Sequence, residues 1–267
     1  MEHRRIDLDD VIYGVHAVEE TLLAGEAIRR VHVGEERRRD PAVRKLLEAA
    51  QVREVQIRFE DRKFFTQFPY KAHQSVIAVG APFAYITLEE AISGRRGVGP
   101  ALYVILDHIT DPHNAGAIIR TAECAFADAV ILPDRRAAGV NATVRKAAAG
   151  AAAHIPIARV ANVSDAIRKL KKAGVWVAGA DIGPDAQDLH AADLARDIAL
   201  VIGAEGTGLS QLVRRECDYL VRIPIFGRVD SLNASVAAGV LLYEALRQRR
   251  GRPAEQAGPG KGPTLHA

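Results

Sequence analysis

The sequence predicts an α/β protein in two parts: a C-terminal domain built on a parallel sheet, preceded by a smaller α/β domain. Three observations carry this. Short apolar, β-branched runs alternate with helical stretches along most of the chain, the pattern of a parallel sheet covered on both faces. The alternation breaks once, at ISGRRGVGP (92–100), whose glycines, proline and arginines show no periodicity. The hydrophobic fraction, 48% of 267 residues, is enough to fill more than one small core.

In order, VHAVEETLLA (15–24) carries a helical apolar stripe and IRRVHV (28–33) reads as a strand. PAVRKLLEAA (41–50) is a helix with proline in its first turn. VREVQI (52–57) is a strand, DRKFFTQF (61–68) a short helix and SVIAVG (75–80) a strand. These make a small domain over 11–82, followed by a linker over 83–100. The second domain, 101–250, opens with the strand ALYVIL (101–106) and the helix AGAIIRTAECAF (115–126). DAVILP (128–133) and IPIARV (155–160) are strands flanking a helix over 141–152. VSDAIRKLKKAG (163–174) is a helix closed by Gly174. VWVAGA (175–180) and IALVIG (198–203) read as buried strands. A helix in LSQLVRREC (209–217), the strand YLVRIPI (219–225) and a long helix over 231–250 complete the domain. The Gly/Pro-rich tail, 251–267, is expected to be disordered.

Bulk properties exclude several functions. No apolar run approaches the roughly 18–20 residues that span a bilayer, and the N-terminus lacks a signal-peptide core, so a cytoplasmic protein without membrane partners is expected. The two cysteines, Cys124 and Cys217, sit in no CxxC or Cys/His cluster, which argues against a metal site. Net charge is +3, with arginine and lysine clustered at 29–30, 37–39, 44–45 and 168–172. Each cluster alone reads as a solvated face; together they make an anionic partner an even alternative.

Three loops carry the chemistry. In TDPHNAGAIIRTAE (110–123), turn residues precede a helix that places Arg120 one turn in, the way α/β proteins build sites at strand C-terminal ends. VIGAEGTGLS (201–210) is a glycine-rich turn; with Glu205 in the middle and no GKS, it suits a neutral or cationic ligand better than a phosphate. In IPIFGRVDSLNASVAAG (223–239), Ser231, Asn233 and Ser235 exceed what one helix cap requires.

In this order and spacing, ITDPHNAGAIIRTAE, VIGAEGTGLS and RIPIFGRVDSLNASVAAGVLLYEA resemble the three motifs of the SPOUT-class RNA ribose 2′-O-methyltransferases, the TrmH/RlmB family. The resemblance runs from about Leu102 to Arg249. YGVHAVEE (13–20) and KAHQSVIAV (71–79) are similar to the start and end of the small RNA-binding domain of RlmB-type 23S rRNA guanosine-2′-O-methyltransferases. The resemblance implies a SPOUT domain with a deep trefoil knot, S-adenosylmethionine as cofactor and a homodimer. It places the cofactor at Gly203, Ile223 and Leu232, and catalysis at Asn114, Arg120, Glu205, Ser231 and Asn233.

The implied reaction is methyl transfer to a ribose 2′-hydroxyl, most closely that of a guanosine in 23S rRNA. A tRNA substrate, or a non-catalytic RNA-binding assembly factor of the same fold, are the alternatives. A guanidinium is a poor literal base, so Arg120 is expected to lower the hydroxyl's pKa and orient ribose or phosphate. Ser75 departs from the family, which usually has glycine there. A dehydrogenase is disfavoured, because neither domain has GxGxxG after its first strand.

Overall fold

The computed structural model describes residues 10–69, 72–97 and 99–251. The elements run β1 (Val11–Tyr13), α1 (Val15–Leu23), β2 (Ile28–Gly34), α2 (Pro41–Val52), β3 (Gln56–Glu60), α3 (Arg62–Phe65) and β4 (Val76–Gly80). They continue through α4 (Leu88–Ser93), β5 (Leu102–Asp107), α5 (Pro112–Cys124), β6 (Ala129–Pro133), α6 (Ala142–Ala147), β7 (Ile157–Val160) and α7 (Val163–Lys172). The last are β8 (Trp176–Ala180), β9 (Gln187–Asp188), β10 (Ile198–Gly203), α8 (Gln211–Glu216), β11 (Tyr219–Arg222) and α9 (Ala234–Gly251). Two compact units emerge. One takes residues up to Tyr85 with 111–120 and 138–154; the other takes 86–110, 121–137 and the chain from Ile155.

In the first unit, four strands are ordered β1-β4-β2-β3, with β4 antiparallel to both neighbours and β2 parallel to β3. The two-residue period sends Val31, Val33, Val76 and Ala78 to one face, where Val18 and Leu22 of α1 and Leu46 of α2 bury them. The other face carries Tyr13 and Ile77 against Phe65 and Phe68. Asp40 caps α2 by accepting from the Ala42 amide at 2.8 Å, with Pro41 at the first helical position.

The second unit holds a seven-stranded sheet ordered β7-β6-β5-β10-β8-β11-β9, and every strand pair in it is parallel. The expected continuous apolar runs are its centre: Leu102, Val104, Ile105, Leu200 and Val201 are at most 1% exposed. Each such buried aliphatic side chain contributes about 2 kcal/mol. β5 pairs with β10 from Leu102 opposite Ile198 to Asp107 opposite Gly203.

Several boundaries differ from the sequence reading. α2 runs to Val52 and its strand begins only at Gln56, after Glu54 turns the chain at φ 55°. The 83–100 segment is not wholly linker: α4 forms inside it behind a capping box, Thr87 with Glu90. α5 begins at Pro112, with Asp111 Oδ1 accepting from the His113 amide at 2.9 Å, so Arg120 stands about two turns into the helix rather than one. α6 stops at Ala147 because Ala149 and Gly150 take positive φ, 50° and 96°. α9 begins at Ala234, which leaves Ser231 and Asn233 outside the helix. β9 was not expected. Residues 252–267 of the tail lie outside the described residues.

Candidate active site

Because β5, β8, β10 and β11 run parallel, their C-terminal ends share one edge of the sheet. Open α/β sheets place ligands at this edge. A cavity of about 490 Å³ lies there, lined by the turn Gly203–Leu209, by Ile223 and Ile225 after β11, by Ser231 and Leu232 before α9, and by Asp181 after β8. Five expected residues therefore come together: Gly203, Glu205, Ile223, Ser231 and Leu232.

The glycine-rich turn is tight for a physical reason. A Cβ on Gly203 would fall 2.3 Å from the Gly208 carbonyl carbon and 2.5 Å from the Leu209 nitrogen, a separation no side chain permits. Ala204 and Gly208 exchange both backbone hydrogen bonds, at 3.1 and 2.8 Å, and Gly206 and Gly208 take φ 77° and 65°. The turn is thus closed by its own backbone, and it lines the cavity.

Asn233 sits one step behind the lining. Its Oδ1 accepts from the Ser235 hydroxyl and amide at 2.6 and 3.0 Å and from the Val236 amide at 3.3 Å, so it caps α9. Its Nδ2 donates to Glu205 Oε1, which also accepts from the Ala234 amide at 3.3 Å. The Glu205 carboxylate therefore ties the glycine turn to the positive end of α9. Asn114 and Arg120 lie on α5 within the first unit and are not among the lining residues. Asn114 is buried; Arg120 is exposed, with no ion pair among the described residues. Glu123, three residues further along the helix, meets Arg96 at 3.5 Å.

Sequence reasoning missed Asp107, Asp181 and Arg214. Asp181 accepts from the Gly183 amide at 2.6 Å and from Arg214 Nε at 2.9 Å, and Arg214 also reaches Asp185 at 3.1 Å. Hydrogen bonds to Asp185 and then Asp181 raise the guanidinium's pKa further above its ordinary value. Asp107 had a visible signal, a charge ending the apolar run LYVIL; nothing local marked the other two. Among the described residues, no cluster of three or more His, Cys, Asp or Glu is placed to hold a metal, and no helix is long and apolar enough to cross a membrane.

Comparison with known proteins fits this geometry. Residues 101–243 match the SpoU rRNA methylase family, and residues 11–86 match the RNA 2′-O ribose methyltransferase substrate-binding family. An uncharacterized tRNA/rRNA methyltransferase from Synechocystis is 43% identical over 242 residues, covering 90% of this chain but 63% of that protein, so the chain spans under two thirds of that relative's length. The 23S rRNA (guanosine-2′-O-)-methyltransferase RlmB of Pseudomonas syringae is also 43% identical over 242 residues, covering 89% of this chain and 95% of its own. Among solved structures, the SpoU methyltransferase AviRb of Streptomyces viridochromogenes, in complex with the cofactor AdoMet, aligns over 90% of each chain with 28% identity and a TM-score of 0.76. A parallel sheet whose strand ends enclose a small-molecule cavity, reached through these loops, is thus paired with matching sequence: the chain belongs to the SpoU rRNA methylase family.

Proposed function

We propose that the protein transfers a methyl group from S-adenosylmethionine to a ribose 2′-hydroxyl of RNA, with a guanosine of 23S rRNA as the target, and acts in the cytoplasm. The observation that carries this is the cavity closed by the Gly203–Leu209 turn and the Ile223–Leu232 loop. Its volume falls in the range of small-molecule sites. Ile202, Ile223, Ile225 and Leu232 offer apolar walls to a flat base; with Arg214 paired to Asp181, Glu205 and Asp230 leave negative charge that favours a cation and disfavours phosphates. A sulfonium cofactor with an adenine ring fits this donor set, and when bound it supplies an electrophilic methyl group.

The chain's own residues then have four tasks. Gly203, Ile223 and Leu232 hold the cofactor through backbone and apolar contact. Glu205 and Asn233 keep the turn and the start of α9 together. Asn114 and Ser231 position the substrate loops. Arg120 offers a permanent cation to the oxygen that forms the new C–O bond, so that its proton leaves to phosphate or solvent more readily. The homodimer of the family also has support here: Val236, Val240 and Tyr243 recur on one face of α9 and are 50%, 37% and 54% exposed.

The test is mass spectrometry of nucleosides from unmodified 23S rRNA incubated with the protein and S-adenosylmethionine. A rise in 2′-O-methylguanosine is expected, and Arg120→Ala is expected to lower the rate by about 100-fold or more, as loss of one transition-state charge contact does. Methylation of a base or of tRNA alone would refute the substrate. Cofactor binding with no methylation of any RNA would favour a binding factor instead.

A further inference from the structure

Asp107, the last residue of β5, is 0% exposed. An ionised carboxylate in that position is costly unless its oxygens are paired. Both are. One accepts from the Ser210 amide at 2.7 Å across 103 residues of chain, and the other lies 2.6 Å from His108 Nδ1. His108 takes φ 61°, a left-handed conformation unfavourable for a residue with a Cβ, and in it the ring meets the carboxylate of its own neighbour. The nearby thiol of Cys217, pushed up to about 12 chiefly by burial, stays neutral and adds no second negative charge beside the carboxylate.

The Ser210 amide ends the glycine turn. At the other end of that turn Gly203 is fixed in the ladder directly opposite Asp107. In between lies the turn that lines the cavity. Ser210 stands at the start of α8, only six residues long, and its side chain makes no capping bond. Asp107 thus ties the far end of the turn to the sheet, next to Leu209, which is buried in the core.

We infer that Asp107 is a positioning residue for the cofactor: its buried carboxylate, oriented by His108, holds the Gly203–Ser210 turn in the form that receives S-adenosylmethionine. This rests on the cofactor reading above. Asp107 does not touch the ligand; it acts through the turn.

The test is calorimetric titration of S-adenosylmethionine into the full chain and three variants. Ser210→Pro removes the donor at a position whose φ of −61° suits proline, and sets a ring carbon where the amide hydrogen met the Asp107 carboxylate. Asp107→Ala removes the acceptor, and Asp107→Asn keeps an acceptor oxygen. Ser210→Pro and Asp107→Ala should weaken binding roughly tenfold or more, the usual effect of losing a hydrogen bond to a charged group, with Asp107→Asn recovering most of it. Equal affinity of parent and Ser210→Pro would overturn the proposal while leaving the cofactor reading intact; a parent that binds no S-adenosylmethionine would remove both. Should the variants fail to fold, hydrogen exchange in the parent decides. A Ser210 amide protected at least as well as the core of β10 supports the role, and unprotected exchange overturns it.

Discussion

Single residues show how much depends on pairing. Glu244, only 8% exposed, is held down to about 2, first by its hydrogen bond to Arg247, with Gln248 and His190 adding to the effect against the cost of burial. A carboxyl with a depressed folded value contributes stability that is complete above its ordinary 4.5 and is lost as pH falls toward 2. Glu244→Gln should therefore cost roughly 1–2 kcal/mol at neutral pH, less than the full linkage because Arg247 stands largely in solvent. Thermal melts of parent and variant should converge as pH is lowered from 5 to about 2. His32 also loses stability on acidification, from a different cause. Burial lowers its pKa against the pull of Glu60, so folding disfavours its protonation and stability drains away as pH drops below the ordinary histidine range. Neither behaviour was legible in the sequence, where Glu244 is one helix glutamate among several and His32 one residue of a strand. Their environments are made by residues distant in the chain or by a helical turn whose phase the sequence leaves open.

Helices and strands were legible in kind and less so at their ends. Apolar runs such as LYVIL and IALVIG are strands because only a sheet centre buries both faces of an extended chain. The ends were set by capping, which competes with periodicity. Thr87 and Glu90 start a helix where glycines nearby suggested only linker, and Asp111 starts α5 before its apolar stripe begins. Asn233 was legible as a candidate site residue and also as a cap, and the structure gives it the cap together with a bond to Glu205. Asn233→Ala should thus cost about 1 kcal/mol for the lost cap, a fall of about 2–4 °C in Tm for a domain of this size. It should also loosen the cofactor turn, since Glu205 loses a partner. A melt paired with the S-adenosylmethionine titration separates the two effects: a loss of stability with unchanged affinity would leave only the cap.

At the scale of the molecule, the family, the parallel sheet and the edge that carries the cavity were legible from three loops in order. The division into units was less so, because 111–120 and 138–154 join the first unit by contact rather than by sequence position. Dimerisation belongs to this scale as well. Val240→Glu places a charge in the exposed apolar face of α9, and sedimentation should show a dimer for the parent and a monomer for the variant; a monomeric parent would remove the proposal. The strand order has a further consequence, in time rather than space. β5 finds its partner β10 only 96 residues later, Leu102 against Ile198. During synthesis β5 must therefore wait, one edge open, until the chain has grown past Gly203. Translation at about 5–20 residues per second makes that wait several seconds or longer. A nascent chain exposes an unsatisfied apolar strand edge for that long, and the sheet's central ladder is among the last parts of the protein to exist.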